Sequence, residues 1–216
     1  MDAAYLMRLL KNTAWLPGLD SLFSALSMPL TNVKYVLMGE SPYPRAHSAN
    51  GYAFWDQAVQ ALWSETGLSK QVNTATSLRN IIKMLLKARG DLDEDYSQSA
   101  IAQIDKNRLV QTATQFFTGM MNKGILLLNA SLVYEARKVP YHARHWRPFM
   151  QSLLEQLAVA LPQTELILLG KIADVIPTTS LKVGLRAEHP YNLSFISNSD
   201  VLQFFNPLDL LSYEHR

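Results

Sequence analysis

The sequence predicts an α/β domain with a central four-stranded, mainly parallel, twisted sheet flanked by helices, and three observations predict it. Four short apolar runs rich in branched side chains each stop at a Gly, an Asn or a turn. Longer stretches of helical period separate most of them. No repeat or low-complexity tract competes with that alternation. Strand, helix, strand order calls for parallel strands joined by crossover helices. At 216 residues the chain fits one domain, residues 1–216, since a domain of this size buries roughly three quarters of its unfolded surface.

The elements follow in order. The start, Met1-Asp2-Ala3-Ala4-Tyr5, has no basic stretch leading into a long apolar run. No later run approaches the ~18 residues of a membrane span, so a soluble, intracellular (cytoplasmic) protein with no membrane partner is expected. Helices around residues 5–10 and 19–26 are expected on the flank of the sheet. The first strand is expected over 33–38, a helix over 77–89, and a solvated acidic loop over 90–98. A helix over 106–122 carries Leu109, Val110, Phe116, Phe117, Met120 and Met121 on its apolar positions. A strand over 125–128 precedes a helix over 146–161 with Phe149, Leu153, Leu154, Leu157 and Leu161. The last two strands fall at 166–169 and, less cleanly, 181–185.

Composition narrows the chemistry. Hydrophobic residues make up 48% and charged residues 18%, below the roughly 25% charge of ordinary domains, which disfavours disorder. A net charge of +2 announces no nucleic-acid partner, so a DNA surface must come from local clusters of Lys and Arg. The absence of cysteine excludes disulfides, thiolate metal sites, cysteine-ligated iron–sulfur clusters and a cysteine nucleophile.

Ligands of parallel α/β sheets bind beyond the carboxyl ends of the strands, so the residues after each strand carry the functional reading. After the first strand comes Gly39-Glu40-Ser41-Pro42-Tyr43-Pro44, running on to Gly51-Tyr52-Ala53-Phe54-Trp55. A Gly-containing turn lets backbone amides approach a ligand, and aromatic rings can sandwich a planar one. After the next strand Asn129 ends Leu126-Leu127-Leu128, and an amide matches the adjacent carbonyl and N–H of a pyrimidine edge. Late in the chain, His189-Pro190-Tyr191-Asn192-Leu193-Ser194 puts a histidine before a turn with an apolar tip, the type of residue that wedges into base stacks. Singly, each has an ordinary structural explanation: core aromatics, a turn-forming Asn, a hydrogen-bonded His.

Together these segments resemble the uracil-DNA glycosylase superfamily, of the uracil-N-glycosylase type. Gly39-Glu40-Ser41-Pro42-Tyr43 is similar to the family's water-activating Gly-Gln-Asp-Pro-Tyr, and Phe54 follows Ser41 by thirteen residues, as the uracil-stacking Phe follows the family's Asp. Thr76-Ser77-Leu78-Arg79-Asn80 resembles the Pro-Ser-Leu-x-Asn loop that compresses the DNA backbone. Leu126 to Asn129 matches the Leu-Leu-Leu-Asn segment, and His142-Ala143 with Trp146 is similar to a downstream His-Ala segment and its Trp. His189 to Ser194 resembles the His-Pro-Ser-Pro-Leu-Ser leucine loop.

The resemblance implies excision of uracil from single- or double-stranded DNA by a monomer, with neither metal nor organic cofactor. Phe54 would stack on uracil, Asn129 would read its edge and Tyr43 would exclude a thymine methyl; His189 would donate to the departing base. Leu193 would wedge into the stack; Ser77, Ser194, His142 and Tyr191 would contact DNA. The departures concern water activation. Ser41 replaces the usual Asp, Glu40 stands beside it as a possible substitute carboxylate, and Pro44 stands where the family often has His. Tyr191-Asn192 replaces Ser-Pro, adding an aromatic that can stack on DNA or stiffen the loop. Two other readings remain: an impaired homologue that binds uracil-containing or single-stranded DNA or acts as a protein-interaction module, and a glycosylase of altered base specificity.

Overall fold

The computed structural model describes residues 2–12, 14–176 and 179–213. In order, the elements are α1 (Ala3–Lys11), β1 (Tyr35–Gly39), β2 (Trp63–Ser64), β3 (Gly67–Leu68), α2 (Lys70–Thr74), α3 (Thr76–Arg89), α4 (Gln98–Ala102) and α5 (Ala113–Asn122). They continue with β4 (Ile125–Asn129), α6 (Val139–Ala160), β5 (Glu165–Leu169), α7 (Ile172–Val175), β6 (Lys182–Ala187) and α8 (Ser199–Phe205). The chain forms two compact units, Met1–Gln57 with Gly124–Arg186, and Ala58–Lys123 with Ala187–Arg216.

The first unit holds a four-stranded sheet in the order β4-β1-β5-β6. β1 lies parallel to both neighbours, with Val36 opposite Leu126 and Leu166. Val36, Leu37, Met38, Leu127 and Ile167 are all at most 1% exposed. Burial of both faces is why these strands are continuous apolar runs and not alternating ones. On one face Val36, Met38, Leu126, Leu128, Leu166 and Leu168 pack against Trp146, Met150, Leu154 and Leu157 of α6. Those four recur at helical spacing and give α6 its apolar stripe. α6 begins at Val139, seven residues before the expected start, because Pro140 suits a first helical turn, where its missing N–H costs nothing.

In the second unit α3 buries Leu78, Ile81, Ile82, Leu85 and Leu86 and stops at Gly90, whose φ of 83° closes the helix in the left-handed conformation. α3 packs against α8 and the short 3-10 turn Leu193–Ser197. α5 starts at Ala113 rather than at residue 106, because Thr112 and Gln115 form a reciprocal capping box there. The β2–β3 hairpin, absent from the sequence reading, is only two residues per strand, too short to show a period. No helix among the described residues is long and apolar enough to cross a membrane.

Candidate functional site

The first group of expected residues collects in the first unit, at the carboxyl ends of β1 and β4, where Gly39 sits opposite Asn129. The carbonyls of Gly39 and Glu40 accept the amides of Ala130 (2.8 Å) and Ser131 (3.0 Å), tying together the two segments that leave the sheet. Gly39 is required sterically. A Cβ there would collide with Asn129 Oδ1 and lie 2.8 Å from the Ala53 Cβ. Asn129 is only 2% exposed, and its Nδ2 is buried without a hydrogen-bond partner among the described residues. A desolvated donor left unpaired costs about 1–3 kcal/mol, so it marks a place where an acceptor belongs.

Phe54 lies next to Ala53, whose amide bonds the Leu127 carbonyl at 3.1 Å. Its φ is +63°, an uncommon conformation for a bulky residue and one that needs support from its surroundings. The Tyr43 hydroxyl donates to the Phe54 carbonyl at 3.2 Å. Burial, and then the charge of Asp56, push the Tyr43 phenol up to about 12, so it remains a donor at neutral pH. Two residues beyond each partner, Arg45 bonds Asp56 at 2.8 Å. Ser41 is half-buried and Glu40 exposed.

His142, expected to touch DNA, is instead a core residue at 1% exposure. Its Nε2 meets Glu135 Oε2 at 3.2 Å and its Nδ1 meets the Tyr5 hydroxyl at 2.8 Å. A carboxylate only accepts, so Nε2 carries the proton and Nδ1 accepts from Tyr5. Burial holds the ring pKa below its usual value, against the pull of Glu135. The Nδ1 bond ties α6 to Tyr5 of α1 and the Nε2 bond ties it to Glu135 in the segment before α6, so no polar atom of the ring is left for a phosphate.

The second group lies in the second unit. Ser77 is half-buried in the first turn of α3, which no side chain caps. Three residues on, Asn80 is fully buried and donates to the Pro190 carbonyl at 2.7 Å, and more weakly to that of Tyr191 at 3.4 Å. The loop after β6 is fixed by these bonds. The Tyr191 amide donates to His189 Nδ1 at 3.1 Å, so the proton of a neutral ring resides on Nε2. Beyond this anchor Tyr191 is 67% and Leu193 71% exposed, and Ser194 is exposed beside them. Arg45 and Asp56 match no motif in the sequence, whereas Asn80 closes the Thr76-Ser77-Leu78-Arg79-Asn80 segment. Asn80 had a legible signal, a polar side chain on the buried stripe of α3.

Comparison with known proteins fits this geometry. A crystal structure of wild-type UNG from Nitratifractor salsuginis superposes with a TM-score of 0.93 and 40% identity, covering 99% of this chain and 88% of the other. A uracil-DNA glycosylase of Streptococcus mutans is 27% identical over 183 residues, 82% of this chain and 70% of its own. One from Campylobacter jejuni is 26% identical over 195 residues, 88% and 71% of the two chains. The chain belongs to the uracil-DNA glycosylase superfamily, UNG type. No family model matches it. As a uracil-DNA glycosylase homologue it carries Ser41 where the resemblance expects Asp, while Tyr43, Phe54, Asn129 and His189 keep the expected residue types.

Proposed function

We propose that this protein flips uracil out of DNA and hydrolyses its N-glycosidic bond, with the leaving-group machinery retained and water activation weakened. The observation that carries the proposal is Asn129 at the end of β4, a buried amide whose Oδ1 packs at Gly39 and whose Nδ2 has no partner among the described residues. That donor suits a uracil carbonyl, and Oδ1 beside it suits the ring N–H; cytosine exchanges donor and acceptor and is rejected. Phe54 stacks on the base, and Tyr43 fills the space of a thymine methyl.

Cleavage leaves negative charge on the base and positive charge on the sugar. His189, with its proton on Nε2, donates to the departing uracil oxygen as a neutral ring. Ser41 holds the water by a hydrogen bond but brings no charge to the sugar. Loss of a general base typically slows a reaction by about 10² to 10⁴, roughly 3 to 5.5 kcal/mol of barrier, so slow excision is the expected outcome. Leu193 wedges into the vacated stack, Tyr191 stacks on a neighbouring base, and Ser77 and Ser194 with nearby backbone amides hold phosphates. The proposal includes a monomer acting inside the cell, where uracil-containing DNA is found.

A panel of oligonucleotides carrying uracil, thymine, cytosine, hypoxanthine or xanthine, scored for alkali-sensitive breaks under enzyme excess, tests this. Release confined to uracil supports the proposal. Release of another base alone would replace it with an altered specificity. Binding to uracil DNA without release of any base would assign the protein to the binding-module reading.

A further inference from the structure

We infer that Asp56, tied to Arg45, is a positioning residue that holds Phe54 and Tyr43 in the geometry that grips the flipped base. The inference rests on the base-pocket reading above and names a determinant of it outside the base-contacting set. Two side-chain ties cross the segment after β1 in parallel, Tyr43 to Phe54 at 3.2 Å and Arg45 to Asp56 at 2.8 Å, each spanning eleven residues. Two backbone ties flank them, Ala53 to Leu127 at 3.1 Å and Gln57 to Ser48 at 3.0 Å. Phe54 is therefore held directly and at both sides. It is the residue in that stretch with a positive φ and a bulky side chain, +63°, a conformation that persists only where neighbours over-determine it.

The Asp56 carboxylate has 5% side-chain exposure and Arg45 56%. A buried carboxylate is tolerated only when paired and hydrogen-bonded, so this pair has to form for the segment to close. Closure sets where the Phe54 ring stands. Burial first, and the charge of Asp56 second, raise the Tyr43 phenol further above the neutral range, favouring the protonated form that donates to Phe54. Asp56 touches no substrate and acts through Phe54 and Tyr43.

The test uses the full chain with Asp56→Asn, Arg45→Gln and Arg45→Lys, and reads binding of free uracil by calorimetry together with KM and kcat on single-stranded uracil DNA. For Asp56→Asn the uracil dissociation constant and KM are expected to rise together by about tenfold or more, with kcat within about threefold. Arg45→Gln is expected to follow in weaker form and Arg45→Lys to stay near wild type. A merely structural role would lower the melting temperature and leave uracil affinity unmoved well below it. A folded Asp56→Asn with wild-type uracil affinity overturns the inference. If Asp56→Asn does not fold, unchanged affinity in Arg45→Gln overturns it. Wild-type protein that binds uracil yet releases none from DNA defeats the glycosylase reading alone, because the calorimetric comparison needs no turnover; wild-type protein that binds no uracil overturns both.

Discussion

Replacing Gly39 by Ala should disable base recognition while leaving a folded protein. The new Cβ would meet Asn129 Oδ1 and come within 2.8 Å of the Ala53 Cβ and 3.5 Å of the Ala53 Cα. Ala53 cannot retreat, since its amide is bound to Leu127. Asn129 must rotate instead, which moves the donor and acceptor proposed to read uracil. Overpacking of this kind costs about 1–3 kcal/mol of stability. Losing a well-placed pair of hydrogen bonds to a base edge costs about 1–3 kcal/mol of recognition, roughly 5- to 150-fold in kcat/KM. The assay is single-turnover excision from single-stranded uracil DNA, with urea unfolding in parallel. Gly90→Ala is the control: its Cβ meets nothing within 4 Å, but its φ of 83° makes it strained. It should cost about 1 kcal/mol of stability and leave excision unchanged. A folded Gly39→Ala protein with kcat/KM within about twofold of wild type would refute the placement of Asn129 as the reader of the base.

Three other perturbations follow from the same geometry. Asn80→Ala strips the Pro190 carbonyl of its 2.7 Å donor and should destabilise by about 1–3 kcal/mol, raising KM on DNA as the loop carrying Leu193 loosens; unchanged KM would separate Asn80 from DNA binding. Glu40→Gln should slow excision by no more than about fivefold, because a solvated carboxylate at contact distance contributes only about 1 kcal/mol; a larger loss in single-turnover assays would make Glu40 the replacement for the missing Asp. His142 is held neutral, with its folded pKa below the unfolded value, so the unfolded chain takes up the proton first as pH falls. Stability measured by urea unfolding should be level above about pH 6.5 and decline below it, and His142→Gln should flatten that decline; a wild-type profile identical to the variant's would remove His142 as its source.

Strand positions were legible because burial on both faces leaves uninterrupted runs such as Ile125-Leu126-Leu127-Leu128, which end where the ladder ends at Asn129. Helix bounds were less legible, because a cap and not the apolar period sets them. Thr112 starts α5 seven residues late, and Pro140 lets α6 start seven early. Among candidate site residues, the resemblance points to Tyr43, Phe54, Asn129 and His189, and the structure shows the contacts that hold them. Those supports join residues distant in sequence, such as Asn80 with Pro190, or depend on burial that composition cannot reveal, as for Asp56. The burial of His142 is hidden for the same reason: a His-Ala segment looks alike on a surface and in a core, and the Tyr5 and Glu135 contacts distinguish them.

The proposed function has His189 supporting leaving-group departure while Ser41 leaves water activation weak. Its most direct measurement is the single-turnover rate of uracil release from single-stranded uracil DNA by wild type, Ser41→Asp and His189→Ala. Slow release by wild type is expected, with release by Ser41→Asp faster by about 10² or more and release by His189→Ala reduced by a similar factor. Wild-type release unaffected by His189→Ala, or a folded Ser41→Asp protein no faster than wild type, would contradict it.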